Sequence, residues 1–108
     1  MIENVFEELK TSGIVRSGNE FSREWLGMEE SYLRGLRSKD RSPSIRAWLN
    51  CSNRLWNAGN SLITSDMSEV KGKGLMLKRL ADTCAFQAIG TEVGELLRTS
   101  VEQPKELR

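Results

Sequence analysis

The chain has 108 residues, of which 38% are hydrophobic and 29% are charged. This length is typical of one domain, and this composition is typical of a soluble globular protein. The sequence contains no run of about 18 apolar residues, and its first residues lack the basic and apolar regions of a secretory signal. We therefore expect a cytoplasmic protein that does not span a membrane.

The residue types needed for most catalysis and metal binding are missing. Histidine is absent, and the two cysteines, Cys51 and Cys84, do not form a CxxC pair. These facts exclude the usual zinc patterns and remove the commonest general base. We expect no enzyme, no metal site and no cofactor. The two thiols are expected to be small packing residues, with Cys51 on the polar edge of its helix and Cys84 within an apolar band.

The net charge of +1 conceals an uneven distribution along the chain. Residues 1–30 carry seven acidic and three basic residues, whereas residues 55–108 carry seven of each. Residues 31–54 have a net charge of +5, since Asp40 is their only acid beside six basic residues: Arg34, Arg37, Lys39, Arg41, Arg46 and Arg54. A basic segment of this kind indicates either contact with a polyanion or an ordinary solvated surface.

The N-terminal residues predict an amphipathic helix followed by a short second helix. Apolar residues recur at the spacing i, i+3, i+4, i+7, at Ile2, Val5, Phe6 and Leu9. Gly13 is expected to end the first helix, since glycine readily adopts the left-handed conformation found there. The second helix is predicted from Glu20 to Leu26, with an inward face that consists of Phe21, Ser22 and Trp25.

Two more helices are expected after Gly27. The third is predicted from Met28 to Ser38, with Glu29 and Glu30 in its first turn, where the helix dipole favours acids. Its apolar side consists of Tyr32, Leu33 and Leu36. The fourth is predicted to start at Ser42-Pro43, a serine cap followed by proline, and to end near Gly59. Its apolar stripe consists of Ile45, Trp48, Leu49, Ser52, Leu55 and Trp56.

The C-terminal half predicts a linker and one long helix. Residues 61–74 are polar and contain glycine, and residues 75–108 carry a wide apolar band that requires more than one partner surface. Gly90 and Gly94 are spaced for a close helix crossing, within the chain or with a second copy. The prediction is an all-α protein with a compact unit of about four helices over residues 1–60 and a C-terminal helix that self-associates.

Residues 21–37 combine a short helix, a glycine turn and a second helix. Leu26, Gly27 and Met28 form the turn, and Leu33 and Leu36 anchor the second helix to the core. This segment resembles the helix-turn-helix of the lambda-repressor-like (Cro/repressor, XRE-type) DNA-binding proteins. The resemblance extends over residues 2–56. The Phe-Ser-Arg-x-Trp-Leu-Gly…Ser-Tyr pattern is also similar to that of small bacterial proteins of unknown function.

Two features depart from the pattern of the lambda-repressor-like family. The family prefers a small residue four positions before the turn glycine, where this chain has Arg23, with Ser22 one place earlier. Arg23 must therefore point outward, or the helix must be rotated. Glu29 and Glu30 stand where the family contacts bases, and they would repel phosphates, although glutamate can accept a hydrogen bond from cytosine.

The resemblance implies a small transcriptional regulator that binds double-stranded DNA as a homodimer. Carried onto this sequence, the expected base or groove contacts are Ser31, Arg34 and Ser38. The expected phosphate contacts are Arg37, Lys39, Arg41 and Arg46. The alternative is a dimeric helical protein–protein interaction module that has lost DNA binding, with Glu29 and Glu30 as signs of that loss.

Overall fold

The computed structural model describes residues 2–102, and side-chain surroundings are described for residues 2–91 and for Val93. Over this range the protein is all-α, as predicted. Its helices are α1 (Ile2–Thr11), α2 (Gly18–Glu20), α3 (Tyr32–Lys39), α4 (Ile45–Ile63) and α5 (Ser68–Glu102). α2 continues directly into a π-helical turn over Phe21–Trp25.

The predicted first helix is confirmed, and its apolar face forms one wall of the core. Its four buried residues are Ile2, Val5, Phe6 and Leu9. The ring of Phe6 packs against the ring of Phe21 with their centroids 5.3 Å apart. Each fully buried side chain of this size contributes about 1.5–3 kcal/mol to stability through the area it removes from water. Gly13 follows the helix with a φ of +79°, which explains the requirement for glycine there.

α4 and α5 form an antiparallel helical hairpin, and the predicted linker over residues 61–74 is wrong. Only residues 64–67 separate the two helices, so α5 begins at Ser68 rather than at residue 75. α4 passes through Gly59 because this residue lies at the helix crossing. A Cβ at Gly59 would lie 2.8 Å from the carbonyl oxygen of Gly74, and a Cβ at Gly74 would lie 2.9 Å from that of Gly59. The two glycines thus let the backbones touch.

Polar and sulfur contacts continue this helix pair toward the start of α4. The Ser52 hydroxyl donates to the Ala81 carbonyl at 2.9 Å. Cys51 and Cys84 are buried free thiols with their Sγ atoms 3.8 Å apart. The placement of Cys51 on a polar edge was wrong, because that side of α4 faces α5. The neighbouring Cys84 thiol and burial raise the pKa of Cys51, so this thiol stays neutral and acts as a packing group.

α5 also contacts the N-terminal helices, so the buried apolar residues form one cluster from Ile2 to Ala88. The Lys73 ammonium donates to the Ser12 carbonyl at 3.2 Å, and Arg79 forms an ion pair with Glu8 at 3.5 Å. The long helix is therefore part of the same folded unit over the described residues.

The surroundings of Leu49, Trp56 and Gly90 differ from those predicted. The apolar stripe predicted for α4 includes Leu49 and Trp56, yet they are 50% and 42% exposed. Among the described residues, none lies within 4 Å of a Cβ built at Gly90, so the prediction of a close crossing there within this part of the chain is wrong. The surroundings of Gly94 lie outside the described residues.

The close contact between α4 and α5 at Gly59 predicts that alanine lowers stability at Gly59 and raises it at Gly72. Gly59→Ala should lower the free energy of unfolding by about 1–3 kcal/mol, because the new methyl group meets the Gly74 backbone. Gly72→Ala is the matched control, since nothing lies within 4 Å of its Cβ position. It should raise stability by up to about 1 kcal/mol through helix propensity. Urea unfolding followed by circular dichroism measures both, and a Gly59→Ala variant as stable as wild type would contradict the crossing.

Candidate nucleic-acid interface

α3 begins at Tyr32, so its predicted start at Met28 is wrong. The reason is a competing hydrogen-bond partner. The Leu33 N–H donates to the Ser22 hydroxyl at 3.0 Å and is therefore not available for a helical bond to Glu29. Met28 is held instead by its own N–H, which donates to the Ser22 carbonyl at 2.9 Å. Glu29 and Glu30 consequently precede the helix rather than form its first turn.

The turn between the π-helical segment and α3 is held by α4. Gly27 has a φ of +66°, a conformation that strains any residue with a side chain. The Asn50 amide donates to the Leu26 carbonyl at 3.0 Å. A Cβ at Gly27 would lie 2.6 Å from the same amide nitrogen. Glycine is therefore required both by the backbone conformation and by the approach of α4.

Ser22 joins the two sides of the turn through one buried hydroxyl. This hydroxyl donates to the Gly18 carbonyl at 2.9 Å and accepts from Leu33 N–H at 3.0 Å. The π-helical turn places it there: Leu26 N–H donates to the Phe21 carbonyl, five residues back instead of four. In this wider turn Ser22 faces α3 and Arg23 faces solvent. Ser22 is thus the small inward residue that the lambda-repressor-like pattern expects one position later, where this chain has Arg23.

The exposed Arg23 lies beside the acidic residues that precede α3. Its guanidinium is 3.3 Å from a carboxylate oxygen of Glu30 and 3.4 Å from one of Glu24. Glu29 accepts a hydrogen bond of 2.5 Å from the Ser31 hydroxyl. The two acids expected to repel a polyanion therefore have local partners, and Glu30 has a cationic one.

α3 has one buried side and one open side. Leu33 and Leu36 are buried, which confirms them as core anchors. Arg34 and Ser38 are exposed on the other side, one turn apart. Between them, Gly35 has nothing within 4 Å of a built Cβ. The open side of α3 is thus a smooth surface flanked by one arginine and one hydroxyl.

The predicted basic residues divide into two groups. Arg37 forms a bidentate ion pair with Glu3, with N–O distances of 2.6 and 2.8 Å. Its guanidinium also lies 5.6 Å from the centroid of the Phe6 ring. The hydrogen bonds from Arg37 hold the pKa of Glu3 below its ordinary value. Arg37 therefore fastens α3 to α1. Within the part of the chain that the structure describes, no ion pair engages the four other exposed cations: Arg34, Lys39, Arg41 and Arg46.

A groove of about 660 Å³ separates α3 from the segment that leads into α4. Lys39 and Arg41 line it together with Pro43 and with Thr91 of α5. Across the groove, the Ser44 N–H donates to the Tyr32 hydroxyl at 3.0 Å. α5 therefore borders this region without covering Arg34.

The start of α4 differs by two residues from its prediction. Ser44, not Ser42, is the cap, because its hydroxyl accepts from Ala47 N–H at 3.1 Å. Pro43 is buried and precedes the cap instead of forming the first helical residue. This shift keeps Arg41 in the loop and places Arg46 in the first turn of α4.

Sequence reasoning singled out the open side of α3 but missed the residues that support it. Asn50 lies among polar residues of α4, and periodicity does not distinguish an amide that bonds to a turn from one in solvent. The role of Ser22 could have been predicted from the sequence, because a widened helical turn shifts the inward position by one residue, and a small residue stands at the shifted position.

Two features are absent from the described residues, a metal site and a membrane-spanning helix. No group of three His, Cys, Asp or Glu side chains in that range could hold a metal ion. No helix in the same range combines the length and apolar character needed to cross a bilayer.

Comparison with known families places the chain in one of them. The model of the family of unknown function DUF6626 matches residues 2–99. The chain belongs to this family. The matched range contains α1–α4, the Gly27 turn and most of α5. Searches among curated proteins and solved structures gave no match.

The Ser22 hydroxyl predicts a large cost for a small deletion. Ser22→Ala should lower the free energy of unfolding by about 1–3 kcal/mol, because it leaves the buried Leu33 N–H without a partner. Ser61→Ala, which removes an exposed hydroxyl from α4, should change stability by less than about 0.5 kcal/mol. Urea titration compares the two variants, and equal effects would contradict the role of Ser22.

Proposed function

We propose that this protein is a small DNA-binding transcriptional regulator that acts as a homodimer. The observation that carries the proposal is the open side of α3, where Arg34 and Ser38 are exposed and anchored from behind by Leu33 and Leu36. The major groove of B-DNA is about 12 Å wide and admits one helix. An exposed helix face without bulky apolar side chains suits that groove.

The charge around α3 supports contact with phosphates. Lys39 ends α3, Arg41 lies in the following loop, and Arg46 lies in the first turn of α4. These cations flank the open side and are not engaged in ion pairs by the described residues. Each phosphate contact releases counterions, which gives affinity without sequence preference. Arg34, which is exposed on the open side, is the side chain proposed to read base edges, together with Ser31 and Ser38.

The ion pair of Arg23 with Glu30 lessens the main electrostatic objection to DNA binding. Surface ion pairs are weak, but this one places a cation within 4 Å of an acid that would approach the duplex. Glu29 remains an exposed carboxylate at the start of α3. That feature favours the second candidate function, a dimeric protein–protein interaction module that does not bind DNA.

Titration of labelled duplex fragments by fluorescence anisotropy, at several salt concentrations, separates the two candidates. The triple variant Lys39→Ala, Arg41→Ala, Arg46→Ala should weaken binding to all duplexes and reduce the salt slope by about three. Arg34→Ala should weaken binding to the preferred duplex by about 10–100-fold and relax its sequence preference.

The matched control removes three cations elsewhere: Arg16→Ala, Lys71→Ala and Arg79→Ala. It should retain most of the affinity, since these residues lie outside α3 and the loop that follows it. A folded wild-type protein that ignores duplex DNA at about 50 mM salt would contradict DNA binding and favour the interaction module. Equal losses in both triple variants would show that only net charge matters.

A further inference from the structure

α5 exposes an apolar stripe on the side that faces away from the core. Phe86, Ile89 and Val93 are 74%, 60% and 46% exposed. They lie about half a turn from Cys84 and Ala88, which are buried against the rest of the chain. A helix that packs on one side only carries most of its apolar residues on that side. The exposed apolar residues of α5 lie on the other side, and they have no partner among the described residues.

Two exposed apolar residues of α4 lie near this side of α5. Leu49 and Trp56 border a shallow groove that also includes Asp82, one turn before Phe86. The Trp56 ring is partly covered by Lys78, whose ammonium lies 4.3 Å from the ring centroid. Given aromatic side-chain areas of roughly 150–250 Å², the exposed parts of these five apolar residues amount to about 500 Å². A typical specific interface buries about 800 Å² on each partner. About 60% of that area is apolar, so the patch has the size that a dimer needs.

Gly90 supplies a second observation on the same side of α5. It is exposed, and nothing lies within 4 Å of a Cβ built on it. A glycine inside a helix costs about 1 kcal/mol relative to alanine, and none of the described residues makes use of its missing side chain. The close approach of another helix would use it.

The order of large and small residues is compatible with a two-fold axis. An axis between Ile89 and Gly90 would bring Phe86 opposite Val93 of the partner subunit, so the largest side chain of the stripe faces a smaller one. The same axis would bring the two copies of Gly90 together on one side of the contact, where the missing side chains let the helices approach, and the two copies of Ile89 together on the other side.

We propose that Phe86, Ile89, Gly90 and Val93 form the centre of a docking surface for a second copy of this chain, with Leu49 and Trp56 of α4 at its edge and the two α5 helices antiparallel. The inference specifies the self-association part of the proposed function and does not depend on DNA binding. Gln87 and Thr91, which border the grooves near α1 and α3, lie on another side of α5. The dimer therefore leaves the open side of α3 accessible.

Sedimentation and light scattering of the full chain, without DNA, test the surface. Wild type should be a dimer, and Ile89→Glu should weaken dimerisation at least about 100-fold by burying a charge. Met67→Glu is the matched control, since Met67 is 64% exposed in the loop that precedes α5 and lies outside the docking surface. It should remain dimeric, and circular dichroism should show that both variants stay helical. A monomeric wild type or a dimeric Ile89→Glu variant would overturn the proposal.

Cross-linking tests the antiparallel arrangement. The buried native thiols do not compete with cysteines introduced at the surface. An oxidised mixture of the Phe86→Cys and Val93→Cys variants should form an intermolecular disulfide between the two species. Neither variant should do so alone, since each position would lie about 10 Å along the helix from its own copy. Cross-linking of each variant alone would indicate parallel helices and overturn the proposed axis. A dimer that passes both tests but ignores DNA would refute only the proposed DNA binding.

Discussion

The hydroxyl of Ser22 is the contact on which the arrangement of α2 and α3 depends. It donates to the backbone before it and accepts from the backbone of α3, so one buried atom joins the two helices. The π-helical turn is the condition for this contact, because it brings Ser22 rather than Arg23 to the inside. Gly27 then reverses the chain in a conformation that only glycine adopts without strain. The start of α3, and with it the set of exposed side chains, follows from these constraints.

The basic residues of the middle segment perform two different tasks. Arg37 points toward α1, where its paired hydrogen bonds with Glu3 add a contact between the two helices. Arg34 and Ser38 face outward because the burial of Leu33 and Leu36 turns the other side of α3 to solvent. A bidentate arginine–carboxylate pair is well suited to this task, because both groups are planar and their geometry is specific. The net charge of the segment therefore overstates the number of cations available to a ligand, and the orientation of α3 decides which of them remain free.

Periodicity predicted the features that depend on apolar burial. Leu33 and Leu36 anchor α3 as their spacing indicates, and Gly27 forms a turn because its neighbours switch from one helical stripe to another. Periodicity could not show that the Leu33 N–H, at the start of α3, donates to the Ser22 hydroxyl instead of to a helical carbonyl. It also assigned Gly59 to a helix end, although glycine serves equally where two backbones touch. In the sequence, the exposed apolar side of α5 is part of one wide apolar band. A sequence does not show which side of such a helix the core of the protein covers.

A regulator of the kind we propose meets the duplex with the open side of α3 and keeps α5 clear of it. Nuclear magnetic resonance spectra of ¹⁵N-labelled protein, recorded during titration with a duplex selected at low salt, test this arrangement directly. We predict that the largest amide shifts fall within residues 31–41 and at Arg46, with small shifts in the exposed stripe of α5. Shifts confined to α5, or a spectrum that the duplex leaves unchanged, would contradict it.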